Sequence, residues 1–355
     1  MPSAGCDTVR RPQMVADTSE SGLFMSEPTA DSPEFSILIA AFNAAATIRA
    51  TLDSLVDQTE SRWHACIVDD GSSDDTFEIA LEYARRDSRF TVLQQANAGS
   101  GAARNRAAQE STAEYLCILD ADDAYKPTYL ERQKAFVRAH PGFDIYSCTA
   151  DAITESGDIR PYDPGRYPQD VCSLETADLV KMNRILSAAV IRAASFRNVG
   201  GFRESVYVED YDLWLRMLAH GANHIHNPES LVLYRVRSDA KTADSRAALS
   251  SMREVYCHLL TEGTPGPALA REIRRQIRST ARELERIQAH EDRKLLERRF
   301  SQGDYANARR LYWSARRAWG SPVKYGVGLV LVVLSPRWLA AVLSSRTIRP
   351  ARTQR

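Results

Sequence analysis

Residues 35–70 read FSILIAAFNAAATIRATLDSLVDQTESRWHACIVDD. The apolar run FSILIA is followed by a stretch that puts Ile48, Leu52, Leu55 and Val56 on one helical face, and then by a second apolar run ending in Asp69 and Asp70. Strand, helix and strand in this order predict a mostly parallel sheet with helices packed on it. The pattern repeats downstream. A helix over 76–85 (Phe77, Ala80, Leu81 and Ala84 on one face) leads to the strand FTVLQQ, the turn NAGSG, an Ala-rich helix and the strand YLCILD. Strands this uniformly apolar suit a sheet covered on both faces. Pro127 is placed for the first turn of a helix running to about Ala139, and His140-Pro141-Gly142 stops it before the strand FDIYSC.

Residues 151–185 read as irregular, with Pro161, Pro164, Gly165 and Pro168. Order resumes at ILSAAVIR, the turn VGGF, a helix from about Glu209 to His220 and the strand ESLVLYRV. The expected organisation is a flexible leader (1–33), an α/β domain (34–240), a charged helical appendage (241–320) broken at TEGTPGP, and a hydrophobic then basic tail (321–355). The chain has 46 basic and 46 acidic residues, so its overall charge does not point to nucleic acid. Its six cysteines lack C-x-x-C spacing and three lie in strand-like runs, which fits buried free thiols in a reducing cytosol. No run reaches the roughly 20 apolar residues of a spanning helix. In the tail, the run Gly326–Leu334 is followed by Pro336 and Trp338, and residues 321–355 hold six basic residues and no acid. Such a segment lies on the inner face of an anionic membrane, docks on the catalytic domain or forms a dimer contact.

Four segments could carry chemistry. In YLCILDADDAYKP a strand ends in Asp120, Asp122 and Asp123. Residues two apart in an extended chain face the same way, so Asp120 and Asp122 project together from the carboxyl end of the strand, where open α/β sheets bind ligands. Clustered carboxylates of this kind suit Mg²⁺ or Mn²⁺ carrying substrate phosphates; the plainer reading is an Asp-rich turn with a helix cap. In HACIVDDGSSDDT, Asp69 and Asp70 end a strand at Gly71, where a carboxylate can accept the imide N–H of uracil or merely close a turn. NAGSGAARNRA puts two glycines before a helix bearing Arg104 and Arg106, which brings backbone N–H groups and a guanidinium near phosphate. Finally, Glu209 and Asp210 open an amphipathic helix, as a general base or as acids complementing the helix dipole.

In order and spacing, SILIAAFNAAATIRATLDSLVDQT, VDDGSSDDT, NAGSGAARN, ILDADD, VGGFRES and VEDYDLWLR resemble glycosyltransferase family 2, over about residues 35–237. The resemblance implies a GT-A fold and inverting transfer of a sugar from a nucleotide diphosphate, with a UDP-sugar as the expected donor. It implies that Ala40, Ala41, Phe42 and Asn43 approach the nucleotide, that Asp70 holds the base, and that Asn97, Gly99 and Arg104 lie beside the nucleotide. It implies Asp122 as direct metal ligand, Asp120 near the ribose or the metal's water shell, and Asp210, supported by Glu209, as the base. The implied acceptor is a hydroxyl on a glycan or lipid-linked glycan in surface polysaccharide assembly. The chain departs from the family at Arg237, where many relatives carry a histidine, and a guanidinium does not ligate a cation. His224 and His226, nearby at alternating positions, read as ordinary strand histidines. Two rival readings compete with this one. A catalytically inactive GT-A-like scaffold is disfavoured by Asp70, Asp120, Asp122 and Asp210. A nucleotidyltransferase needs a basic Gly-rich loop where this chain has AAFNAAATIR.

Overall fold

A computed structural model describes residues 33–154, 156–162, 167–237, 244–304, 306–308 and 310–311. The expected leader and tail lie outside these residues. The first strands are β1 (Phe35–Ala41), β2 (Trp63–Asp69), β3 (Phe90–Gln94) and β4 (Tyr115–Ile118), joined by α1 (Ile48–Val56), α2 (Thr76–Arg86) and α3 (Ser100–Gln109). They lie in the order β3-β2-β1-β4, all parallel. The sheet continues through β8 (Val190–Arg192), β6 (Ile145–Ile153), β9 (His224–Arg235) and β5 (Ala124–Tyr125), with β7 (Ile159–Pro161) on β6. In this half β6 and β9 are parallel, while β8, β5 and β7 run antiparallel to their neighbours. Chain order reverses on either side of β1, so the crevice between β1 and β4 is the topological switch point.

Alternation along β1 assigns its side chains to two cores. Ile37 and Ile39 pack with Ile48, Leu52 and Leu55 of α1, whereas Leu38 packs with Cys66, Val68 and the alanines 103 and 107 of α3. Each such aliphatic side chain contributes about 1.5–3 kcal/mol on burial. Three expectations shift. Val56 is exposed and Thr51 takes the buried position on α1, because its hydroxyl is needed beneath the active rim. Pro127 precedes the N-cap Thr128 of α4 (Tyr129–Ala139) rather than opening the helix. The stretch 151–185, read as irregular, contains the end of β6, β7 and α5 (Thr176–Lys181).

α6 (Ala193–Asn198) and α7 (Glu209–Ala219) follow β8. α7 is buried almost all round, including Tyr211, Leu213, Trp214, Leu215 and Met217. α8 (Ser245–Thr261) and the 35-residue α9 (Pro267–Ser301) place Val255, Tyr256, Leu259 and Ile273 in the same core as α7. Cys66, Cys117 and Cys148 are buried free thiols. Among the described residues no helix is long and apolar enough to cross a membrane.

His224 and His226 are fully buried and hold the 168–174 segment to the sheet. The Leu174 N–H donates to His224 Nδ1 at 3.2 Å, and the carbonyl of Pro168 can only accept from His226 Nε2, at 3.0 Å. These ends fix both tautomers. His224 Nε2 therefore donates to Ser147 Oγ, and Ser147 donates to His226 Nδ1, each at 2.8 Å. Burial, reinforced by its neighbour, pushes His224 down to about 3, and burial pushes His226 down to about 4.

Candidate active site

The carboxyl ends of β1, β2, β3 and β4 meet on one rim, and the loops there are tied to one another by side-chain hydrogen bonds. Asn43, left-handed at φ 48°, follows the exposed Phe42. Its N–H donates to Ser72 Oγ and its Oδ1 accepts from the Ser73 N–H, while the Ala44 N–H donates to Thr76 Oγ1 at 2.7 Å. The β1 and β2 loops are thus one unit. Ala40 and Ala41 end β1 beside this loop.

Asp70 is buried and both carboxylate oxygens are engaged. Oδ1 accepts from Gln95 Nε2 and from the Ala98 N–H, and Oδ2 accepts from the Gly99 N–H, all at 2.8 Å. This acid holds the Asn97–Gly99 turn against the end of β2, with Asn97 itself exposed. Gly71 is required there: at φ 77° its Cβ would stand 2.9 Å from the Asn97 backbone nitrogen. Asp69 is fully buried; its Oδ2 accepts from Gln94 Nε2 at 3.0 Å and its Oδ1 has no partner.

The Asp120–Asp123 turn is anchored from below. Thr47 Oγ1 donates to the Ala121 carbonyl at 2.9 Å and Thr51 Oγ1 to the Asp123 carbonyl at 2.7 Å. Buried Asp123 accepts the Arg235 N–H at 2.8 Å, and Arg235 Nε donates to the Asp122 carbonyl at 2.9 Å, which joins the turn to the end of β9. Burial, then repulsion from Asp120, holds the Asp122 carboxyl above the usual range, and Arg237 and Arg235 only partly offset this. Burial and its two acidic neighbours likewise raise Asp123.

Arg104, buried on α3, is the hub. It donates to Asp120 Oδ1 through Nη2 and to Glu209 Oε1 through Nη1 at 2.6 Å. Burial disfavours its charge, but Asp120, Glu209 and Asp210 outweigh that and hold its pKa above normal. Ser100 Oγ also donates to Glu209 Oε1 at 2.5 Å, and Ser187 Oγ donates to Asp120 Oδ2 at 2.9 Å. Asp210 stands beside Glu209 in the first turn of α7, its Oδ1 accepting the Tyr211 N–H at 2.7 Å. Burial, Glu209 and Asp120 push its carboxyl up to about 6, against the Tyr211 N–H and Arg104.

The structure therefore brings Asp120, Glu209 and Arg104 into direct contact, with Asp210 adjacent. Asp70, Asn97 and Gly99 form a second group on the same rim, next to the Asn43 loop. Sequence reasoning missed Ser187, Thr47, Thr51 and Asn105. Asn105 makes a reciprocal pair with the Phe202 backbone, at 2.8 and 2.9 Å, and a Cβ on Gly201 would meet its Oδ1 at 2.6 Å. Its place next to Arg104 in NAGSGAARN was the available signal. Among the described residues no group of three or more His, Cys, Asp or Glu side chains is arranged to hold a metal ion. A cavity of about 510 Å³ lined by Trp63, His64 and Arg89 lies at the amino ends of β1 to β3, remote from these acids.

A family model described as Glycosyl transferase family 2 matches residues 36–199. The putative teichuronic acid biosynthesis glycosyltransferase TuaG of Bacillus subtilis (strain 168) is 36% identical over 231 residues, 63% of this chain and 87% of TuaG. The putative glycosyltransferase EpsH of the same organism is 40% identical over 102 residues, 29% of this chain but only 30% of EpsH. In fold the chain is similar to S. aureus TarS 1-349 in complex with UDP-GlcNAc (TM-score 0.58, 17% identity, 70% of this chain and 72% of that one). It is also similar to the mannosyltransferase PcManGT from Pyrobaculum calidifontis in complex with GDP-Man and Mn²⁺ (TM-score 0.57, 16% identity, 87% and 81%). With one relative matched over most of its length above 30% identity, the chain belongs to glycosyltransferase family 2 and has the GT-A fold.

Proposed function

We propose that this glycosyltransferase moves a sugar from a UDP-sugar to an acceptor hydroxyl in a single in-line displacement, inverting the anomeric centre, with Asp210 as the base. The observation that carries the reading is the Asp210 carboxyl, pushed up to about 6 at the rim and adjacent to the Glu209–Arg104–Asp120 bridge. A base with a pKa near the working pH combines the right protonation state with useful basicity, and contributes roughly 10²- to 10⁴-fold. Glu209, engaged by Arg104 and Ser100, positions the turn that carries it.

The carboxylates of the Asp120–Asp123 turn fit a divalent cation. Asp122 is held above its ordinary pKa by burial and a like charge, a strain that a cation relieves. Asp120 already accepts from Arg104 and Ser187, which suits it to the ribose or a metal-bound water and leaves Asp122 as direct ligand to Mg²⁺ or Mn²⁺. When bound, the metal supplies Lewis-acid stabilisation of the departing diphosphate. Asp70 orders the turn of Asn97 and Gly99 beside the nucleotide and keeps lone pairs for the uracil imide. The complexes of fold neighbours with UDP-GlcNAc and with GDP-Man and Mn²⁺ support a nucleotide-sugar donor and a cation, and TuaG supports a setting in surface polysaccharide assembly with a glycan or lipid-linked acceptor.

Thermal-shift titration with UDP-, GDP- and dTDP-sugars, with and without Mn²⁺, tests the donor. Stabilisation by a UDP-sugar that grows with Mn²⁺ is expected, and a response confined to GDP-sugars overturns the choice of base. The anomeric proton coupling of the product decides inversion.

A further inference from the structure

Charge cancels over the whole chain but not along it. Residues 1–266 carry 26 Lys and Arg against 39 Asp and Glu, whereas residues 267–355 carry 20 against 7. The described part of the basic region is mainly α9. Its inward face consists of Ala270, Ile273 and Thr280, with Leu269 and Ile277 partly buried, and it packs on α8 and α5. At 100° per residue, Arg271, Arg275, Arg278, Arg282 and Arg286 fall within about 80° of one another on the opposite side. All five are exposed. Over 271–286 six arginines face three acids. Of these, Glu272 pairs with Arg275 at 2.7 Å and Glu283 with Arg286 at 3.0 Å, while Glu285 shares the arginine side of the helix. Exposed pairs of this kind add about 0–1 kcal/mol each to stability, so the fold does not require an arginine face here.

Two polyanions would match such a face, a nucleic acid or an anionic bilayer. The sequence that follows separates them: residues 302–355 hold ten Lys and Arg, one acid, the apolar run Gly326–Leu334 and Trp338. A bilayer has an apolar layer beneath its charged surface for such a run, and a nucleic acid has none. We propose that the arginine face of α9 is a docking surface for an anionic membrane, with the helix lying along the lipid headgroups. This charge surface acts in addition to any insertion by the tail, and it does not depend on which sugar is transferred.

Cosedimentation of the full chain with vesicles of phosphatidylglycerol in phosphatidylcholine, against phosphatidylcholine alone, tests it. Binding only to the anionic vesicles, weakening as salt rises, is expected. Each cation near such a surface is worth roughly fivefold in binding. The full-length variant Arg271→Gln, Arg275→Gln, Arg278→Gln, Arg282→Gln, Arg286→Gln should therefore bind roughly 10³-fold more weakly at unchanged Tm. The double variant Arg275→Gln, Arg282→Gln should lose about 25-fold and keeps the test open if the variant with all five changes folds poorly. Wild-type affinity in a folded variant overturns the proposal, as does equal binding to neutral vesicles. Tighter binding to a DNA duplex than to anionic vesicles at equal charge also overturns it.

Discussion

Two groups of acids stand on the same rim and differ in what the protein does with them. At the end of β2, both carboxylate oxygens of Asp70 are engaged: two backbone N–H groups and one side-chain amide reach it at 2.8 Å. Around the β4 turn and the start of α7, burial and like charges leave Asp122 and Asp210 with raised proton affinity, which the nearby arginines do not cancel. The first arrangement is already stabilised by donors without a ligand and fixes a loop. The second is strained until a cation, a diphosphate or a proton arrives, which is the condition expected of groups that act on substrate.

Substitution should separate the two groups. The largest expected effect is on catalysis: Asp210→Asn lowers kcat by roughly 10²- to 10⁴-fold while the nucleotide Kd, measured calorimetrically, stays within a few-fold. Parallel loss of binding would break the assignment of Asp210 to the reacting end. Second, stability should move the opposite way. Asp70→Asn puts an amide where the Gly99 N–H needs an acceptor and should cost about 2–3 kcal/mol in urea denaturation. Asp122→Asn and Asp210→Asn, by removing half-buried like charges, should leave the unliganded unfolding free energy unchanged or slightly higher. If Asp122→Asn destabilises as much as Asp70→Asn, the contrast fails.

The smallest effects are in pH dependence. Asp210 is raised in the fold above its unfolded value, so the folded state binds the extra proton. The stability it contributes is present at low pH and lost as pH rises through about 6, and kcat/KM should fall on the acid side of about 6. His224 and His226 act in the reverse direction. They are depressed to about 3 and 4 from an ordinary value near 6.5, so the unfolded chain binds their protons first and stability is lost as pH falls from about 6.5 towards 4. Chemical denaturation at a series of pH values, with Asp210→Asn and His226→Gln as references, resolves the two contributions.

Much of the frame was legible in the chain. Uniformly apolar runs located β1, β2 and β4, and the acids that follow the last two put Asp70 and Asp120 at their carboxyl ends, because strand polarity and the switch-point rule follow from element order. Helix faces were read less well. Val56 looked like a core residue by periodicity, yet the rim needed the hydroxyl of Thr51 turned inward. The antiparallel strand β5 was invisible because two residues carry too little pattern for a period, whereas the three-residue β8 lies at the end of the ordered run ILSAAVIR. Ser187 has no local signature because it is a single polar residue outside any motif, and Asn105 had only its place next to Arg104 in NAGSGAARN.

What the sequence determined by itself was therefore the parallel half of the sheet, the family, and the set of acids available on its rim, since these depend on interactions among near neighbours in the chain. Which acid is satisfied and which is left strained was decided only by tertiary structure. Arg104 meets Glu209 from 105 positions away, Ser187 reaches Asp120 from 67, and the Gly99 N–H reaches Asp70 from 29. A carboxylate's proton affinity is set by the donors, charges and burial around it, and those arrive from distant segments once the sheet has closed.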